Sequence, residues 1–319
     1  MPDTSPLSAP PFGRGKFLDP DWTATGEVRA SVTLRALKTL WFNTGSLCNI
    51  TCRDCYIESS PTNDRLAYLT LADVRRFLDE IDRSRLPVEE IGFTGGEPFM
   101  NRDLPAMLDA VLGRGLRALV LTNAMKPMLH RRAHLLRQRD RHGEAMTLRV
   151  SIDHHTPARH EELRGAGTWA PMLEGLRWLA VNGVRVHAAG RARWGETEAD
   201  ARAGYAALFA REGIPIDAAD PAALMLFPEM DSDREVPEIT TRCWDILGVS
   251  PDSMMCGWSR MVIRRKGAAS AVVVPCTLLP YDAAFELGET LAEADHPVKL
   301  NHPFCAQFCV LGGASCAAR

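Results

Sequence analysis

Cys48, Cys52 and Cys55 stand at C-x3-C-x2-C spacing, directly after the apolar run Leu40-Trp41-Phe42. Three thiolates can hold three corners of a [4Fe-4S] cluster, for which cysteine is the soft ligand. The fourth iron is then open to a small molecule, which points to chemistry at a cluster rather than to a sealed electron relay. The alternative is a structural zinc site, which takes four ligands, commonly as two C-x2-C pairs or one such pair with two histidines. Only Cys52 and Cys55 form such a pair in this triplet.

Six further cysteines, Cys243, Cys256, Cys276, Cys305, Cys309 and Cys316, are gathered in the last third of the chain. A disulfide framework could use an even number of them. The first residues, Met1 to Gly15, are rich in proline and have no apolar core, so they resemble neither a secretory signal nor an anchor. A cytoplasmic location with reduced thiols is therefore expected, and metal binding or catalysis is the better reading of the cysteines.

The elements that must position these residues follow from length and pattern. At 319 residues and 46% hydrophobic content, the chain can bury a full α/β barrel or two smaller domains. No apolar run approaches the ~20 residues needed to span a bilayer. With 37 basic and 40 acidic residues and a net charge of −3, nothing electrostatic argues for a nucleic-acid or membrane partner.

Short β-rich runs alternate with amphipathic stretches. Strands are expected at Thr39 to Asn43, Glu90 to Phe93, Ala118 to Leu121, Thr147 to Ile152, Val184 to Ala188 and Ala223 to Phe227. Thr70 and Asp73 form a capping box, after which Leu71, Val74, Leu78 and Ile81 share one helix face. Similar stripes run through Leu104, Met107, Leu108 and Val111, and through Met172, Leu176 and Leu179. Six β/α units imply a parallel sheet, either an open doubly wound one or a partial barrel, with its site at the strands' C-terminal ends.

The segment Cys48-Asn49-Ile50-Thr51-Cys52-Arg53-Asp54-Cys55-Tyr56 resembles the signature loop of the radical S-adenosylmethionine (SAM) enzymes. Gly95-Gly96-Glu97-Pro98, Thr122-Asn123, and Ser151-Ile152-Asp153 with Arg164-Gly165 agree in order and spacing, each at or just beyond a strand end. The resemblance covers roughly Leu40 to Arg191 and implies a partial (β/α)6 TIM-like barrel over residues 37–228; residues 1–36, proline-rich at their start, are expected to be a disordered segment and lead-in. It implies that the Gly95-Gly96-Glu97 region holds the methionyl amine of SAM, Glu97 supplying a carboxylate. Asn123, Ser151 and Arg164 could then bond the ribose hydroxyls or the SAM carboxylate. Family members mostly carry an aromatic residue just before the third cysteine, near the adenine. Here Asp54 stands there, with Tyr56 as the substitute.

Residues 243–319 resemble the small cysteine-rich auxiliary-cluster domain, twitch or SPASM, of a radical SAM subgroup. Met261-Val262-Ile263 and Val272-Val273-Val274 read as a hairpin around Gly267, flanked by Cys256 and Cys276, with Gly288 and then Cys305, Cys309 and Cys316 beyond. Six cysteines suffice for one four-cysteine cluster with spare thiols, and zinc remains the structural alternative. Cys256, Cys276, Cys309 and Cys316 are the expected ligands, with Cys305 the substitute and Cys243 spare.

The resemblance implies an enzyme that cleaves SAM reductively at its cluster to give a 5′-deoxyadenosyl radical, which takes hydrogen from a small-molecule or peptide substrate. Electrons would come from a donor such as flavodoxin or ferredoxin. Only 38 residues precede the first strand, short for a separate peptide-recognition domain, which tilts toward a small molecule. Transfer of the 3-amino-3-carboxypropyl group to a soft acceptor such as trivalent arsenic is an enzyme alternative; an electron carrier or redox sensor is the non-enzymatic one. His130 and His134, at i, i+4, read as a solvated helix face among arginines, with docking of an acidic donor as a lesser option. His154, His155 and His160 read as loop residues within possible reach of substrate.

Overall fold

Thr70 and Asp73 start the first long helix as their spacing predicts. The Thr70 hydroxyl accepts the Asp73 N–H at 3.2 Å, and the Asp73 carboxylate accepts the Thr70 N–H at 2.8 Å. In this computed structural model, residues 15–231 and 234–315 are described. The helix so capped, α1 (Leu71–Ser84), buries Val74, Phe77, Leu78 and Ile81 on one face, the stripe expected of an amphipathic helix against a sheet.

Six strands run parallel in chain order: β1 (Thr39–Asn43), β2 (Glu90–Thr94), β3 (Arg117–Thr122), β4 (Met146–Asp153), β5 (Val186–Ala192) and β6 (Leu224–Pro228). Between them lie α1, α2 (Leu104–Leu112), α3 (Arg132–His142), α4 (Pro157–Arg164), α5 (Trp169–Val181) and α6 (Glu198–Glu212). Among these six, neighbours in sequence are neighbours in the sheet, so their winding has no reversal point. That excludes the doubly wound order left open by the sequence pattern, which needs such a reversal.

Every residue of β1 is buried, as befits a strand covered on both faces. Gly92 in β2 is required by packing, since a Cβ there would lie 2.2 Å from the Trp41 ring. The fifth strand begins at Val186, two residues later than expected. Gly183, at φ +63°, and Val184, whose N–H bonds the Leu179 carbonyl, are spent on closing α5.

The expected hairpin is present and joins this sheet. β7 (Ser259–Ile263) lies parallel to β1 on its open edge, and β8 (Val272–Val274) lies antiparallel to β7. The C-terminal region thus shares eight-stranded sheet order β6-β5-β4-β3-β2-β1-β7-β8 with the β/α units.

Residues 1–14 of the segment expected to be disordered lie outside the described residues. The lead-in at 15–36 is packed: Ser31–Val32 pairs antiparallel with Val298–Lys299, and buried Arg29 meets Glu238 at 2.5 Å. Among the described residues no helix is long and apolar enough to cross a membrane.

Candidate functional site

The loop after β1 carries the three cysteines, and the loop after β2 carries Gly95-Gly96-Glu97. The two loops lock backbone to backbone: the Gly96 N–H donates to Gly45 O at 2.8 Å and the Glu97 N–H to Leu47 O at 3.1 Å. A Cβ on Gly96 would lie 2.1 Å from the Leu47 carbonyl oxygen, and Gly95 sits at φ +143°. Glycine is therefore demanded at these positions by the protein's own cysteine loop. Cys48, Cys52 and Cys55 line one cavity of about 190 Å³ with Gly95, Gly96 and Asn123.

Glu97 does not face that cavity as expected. Its buried carboxylate accepts the Thr122 hydroxyl at 2.9 and 3.1 Å, the Asn123 N–H at 2.8 Å and the Phe99 N–H at 3.1 Å. Three donors meet this carboxylate, the single Thr122 hydroxyl proton being shared between its oxygens, so Glu97 has a structural role beside the ammonium contact expected of it. Burial pushes its pKa up to about 7, because a charge loses hydration there.

Asn123, also expected at the ligand, braces the cysteine loop: its amide donates to Asn49 Oδ1 at 2.9 Å and lies 3.9 Å from Cys48 Sγ. Ser151, Asp153 and Arg164 line the cavity. The Arg164 guanidinium meets Asp153 at 2.9 Å. Although burial alone would lower the Arg164 pKa, Asp153, Cys52 and Cys55 hold it above its usual value.

Asp54 has no aromatic function to offer, and its geometry shows what it does instead. It adopts φ +57°, a region Asp tolerates better than branched residues, and its carboxylate meets Arg193 at 2.6 Å. Arg193 and Arg191 both reach Glu229, at 2.8 and 3.1 Å. The Arg191 guanidinium lies 4.9 Å from the Tyr56 ring, whose hydroxyl donates to the Pro228 carbonyl at 3.3 Å. The sequence reading missed Arg191, Arg193 and Glu229. Arg191 lies near the end of β5 and Arg193 just beyond it, with the period-two spacing of one strand face, a signal available in the sequence.

Burial pushes the Cys48 thiol up to about 12 and raises that of Cys52. Such thiols keep their protons at neutral pH unless a metal takes the proton's place. Among the described residues only His154, His155 and Glu196 bring three donor atoms of this kind within 4.8 Å of one another. The cysteine triplet is thus spread more widely than the ~3.8 Å sulfur spacing implied by tetrahedral zinc. The donor set, three soft sulfurs around one cavity, fits an iron-sulfur cluster.

A second cavity collects Cys256, Cys276, Cys305 and Cys309. Cys256 precedes β7 and Cys276 follows β8, so the hairpin brings them together, and the helix Cys305–Val310 supplies the other two. Burial pushes the thiols of Cys256 and Cys305 up to about 11 and about 12. Cys305, expected only as a substitute, is a full member of this group; Cys316 lies outside the described residues. Cys243 is elsewhere, its sulfur accepting the Thr240 N–H at 3.3 Å.

The histidines have local roles. His154 Nδ1 accepts the Thr156 N–H at 2.9 Å while Nε2 faces Glu196 at 3.1 Å. Arg159 fills the same space, pairing with Glu196 and lying 3.1 Å from His154 Nε2. His160 is buried against the Ile152 carbonyl. His134 is buried beside Asp109, not on a solvated face, and His130 caps a different helix, Lys126–Leu129.

Residues 42–191 match the Radical SAM superfamily model, and this stretch is a radical SAM superfamily domain. Over 142 residues, 43% of the chain, it is 29% identical to GTP 3′,8-cyclase of Tolumonas auensis, covering 39% of that protein. Over 143 residues, 44% of the chain, it is 27% identical to the antilisterial bacteriocin subtilosin biosynthesis protein AlbA of Bacillus subtilis, covering 30% of it. The chain thus spans well under half the length of these curated relatives, which are enzymes. Streptococcus suis SuiB bound to S-adenosylmethionine shares the fold, with a TM-score of 0.58 at 12% identity over 80% of this chain and 63% of that one.

Proposed function

We propose that the chain is a radical SAM enzyme whose cluster is held by Cys48, Cys52 and Cys55 and whose SAM occupies the adjoining cavity. One observation carries this reading: the three cysteines, the Gly95-Gly96 backbone, Ser151 and Arg164 line one cavity at the C-terminal ends of parallel strands. When bound, a [4Fe-4S] cluster with an open iron supplies the electron that splits SAM into methionine and a 5′-deoxyadenosyl radical.

The chain's own residues bind, orient and exclude water. The Gly95-Gly96 backbone and the Arg164–Asp153 pair offer polar partners for the amine and carboxylate of SAM, and Ser151 offers a hydroxyl for its ribose. Tyr56, Phe227, Leu278 and Phe308 form an apolar wall that suits a hydrocarbon part of the substrate and keeps water from a reactive carbon radical. Phe227 lies in β6 and Leu278 just beyond β8, at opposite ends of the sheet order. Their sharing of one cavity supports a sheet curled into a partial barrel.

The four-cysteine group at 256, 276, 305 and 309 supports an auxiliary iron-sulfur cluster in a twitch-like region over 243–319. The substrate is an organic small molecule or a peptide. Anaerobic reconstitution followed by EPR tests the central assignment. SAM should alter the signal of a reduced cluster that disappears in the Cys48/Cys52/Cys55→Ala triple variant. A spectrum indifferent to SAM would favour an electron carrier instead.

A further inference from the structure

The cysteine loop has a second side. Behind Cys48 the surface opens into a groove lined by Asn49, Met100, Arg102, Lys126, His130 and Arg131. No carboxylate lines it, and none of its three permanent cations is paired with an acidic side chain among the described residues, whereas most arginines on this molecule are. Arg102, Lys126 and His130 are exposed. A site this free of counter-charge on a chain of net charge −3 creates a local positive potential that attracts an acidic surface.

Asn49 joins the groove to the metal ligands. Its side chain lines the groove, its Oδ1 lies 4.0 Å from Cys48 Sγ, and the Asn123 amide bonded to that oxygen lies 3.9 Å from the same sulfur. One side chain therefore separates a partner in the groove from a ligand sulfur. The cavity lined by Gly95, Ser151 and Arg164 shares no lining residue with this groove.

We propose that this groove docks an acidic one-electron carrier protein, which reduces the N-terminal cluster through Asn49 and Cys48. The inference rests on the cluster assignment above. In the step, the carrier loses one electron and the metal centre gains it, and no bond is made or broken. The docking is electrostatic, so it is steered at low ionic strength and weakened by salt.

The reconstituted protein tests this with reduced flavodoxin as the carrier and dithionite as the small reductant. Arg102→Glu combined with Lys126→Glu should weaken flavodoxin binding, followed by fluorescence anisotropy, by about tenfold or more. Cluster bleaching by flavodoxin should slow to match, while bleaching by dithionite is unchanged. The Gln pair at the same positions should give a smaller loss in the same direction, and raising salt from about 0.05 M to about 0.5 M should weaken the native protein more than the Glu variant. Flavodoxin binding that is insensitive to both substitution and salt overturns the docking site. Failure of dithionite to bleach either protein would overturn the cluster assignment, while anisotropy still decides whether the groove binds the carrier.

Discussion

The Glu97 carboxylate accepts the backbone N–H of Asn123 at 2.8 Å, tying the loop after β2 to the end of β3. Through the Asn123 side chain the tie continues to Asn49 and the cysteine loop. Three sequence motifs are thus held together by a glutamate whose two oxygens each accept a backbone N–H.

The first prediction follows from that arrangement. Glu97→Gln keeps the shape of a group already pushed toward neutrality; its NH2 must face either the Phe99 or the Asn123 N–H, so it should cost about 1–3 kcal/mol of stability while leaving the SAM affinity of the folded protein within about threefold, whereas loss of a charge-assisted contact would cost more than tenfold. Glu97→Ala leaves buried donors at Thr122, Asn123 and Phe99 unpaired and should cost about 2–4 kcal/mol in denaturant unfolding. A large affinity loss in a stable Gln variant would restore a direct ammonium contact.

A second prediction concerns the C-terminal cysteines. Ala at 256, 276, 305 or 309 should each lower iron content by roughly half, because one missing ligand opens a four-cysteine site. Cys243→Ala should retain its iron. Loss on changing Cys243, with retention on changing Cys305, would redraw the ligand set.

Asp54 gives a third. Its pair with Arg193 is partly exposed, so Asp54→Asn should change stability by less than about 1 kcal/mol. Asp54→Val places a branched residue at φ +57° and should cost about 1–3 kcal/mol, with weaker iron retention at neighbouring Cys55. Equal effects of the two substitutions in urea unfolding would mean that charge, not backbone, governs this position.

The motifs and their order were legible because ligand spacing and strand ends are local properties of the sequence. The protein contacts of Glu97 and Asn123 were not, since they depend on which of two loop faces each side chain takes. That Cys305 shares a cavity with Cys256 was hidden for a similar reason: it depends on a hairpin and a tail meeting, and β7 reaches β1 from more than 200 residues away. Strand pattern alone could show that β7 pairs with β8 but not that it also extends the main sheet.

His160 supplies a pH prediction. Burial pushes its pKa down to about 4, below its ordinary 6.5, so the unfolded chain binds a proton that the native protein refuses. Its contribution is present above pH ~6.5 and is lost as pH falls toward ~4, by about 2–3 kcal/mol. Urea unfolding of His160→Asn should show a shallower loss over that window; an unchanged slope would assign the acid sensitivity to other groups.

The most direct measurement is the nucleoside made from SAM. Reconstituted protein given SAM and dithionite should yield 5′-deoxyadenosine, and the Cys48/Cys52/Cys55→Ala triple variant should yield none. Cluster-dependent 5′-methylthioadenosine as the main product would point to carboxypropyl transfer, and the absence of any SAM cleavage by iron-loaded protein would contradict the account.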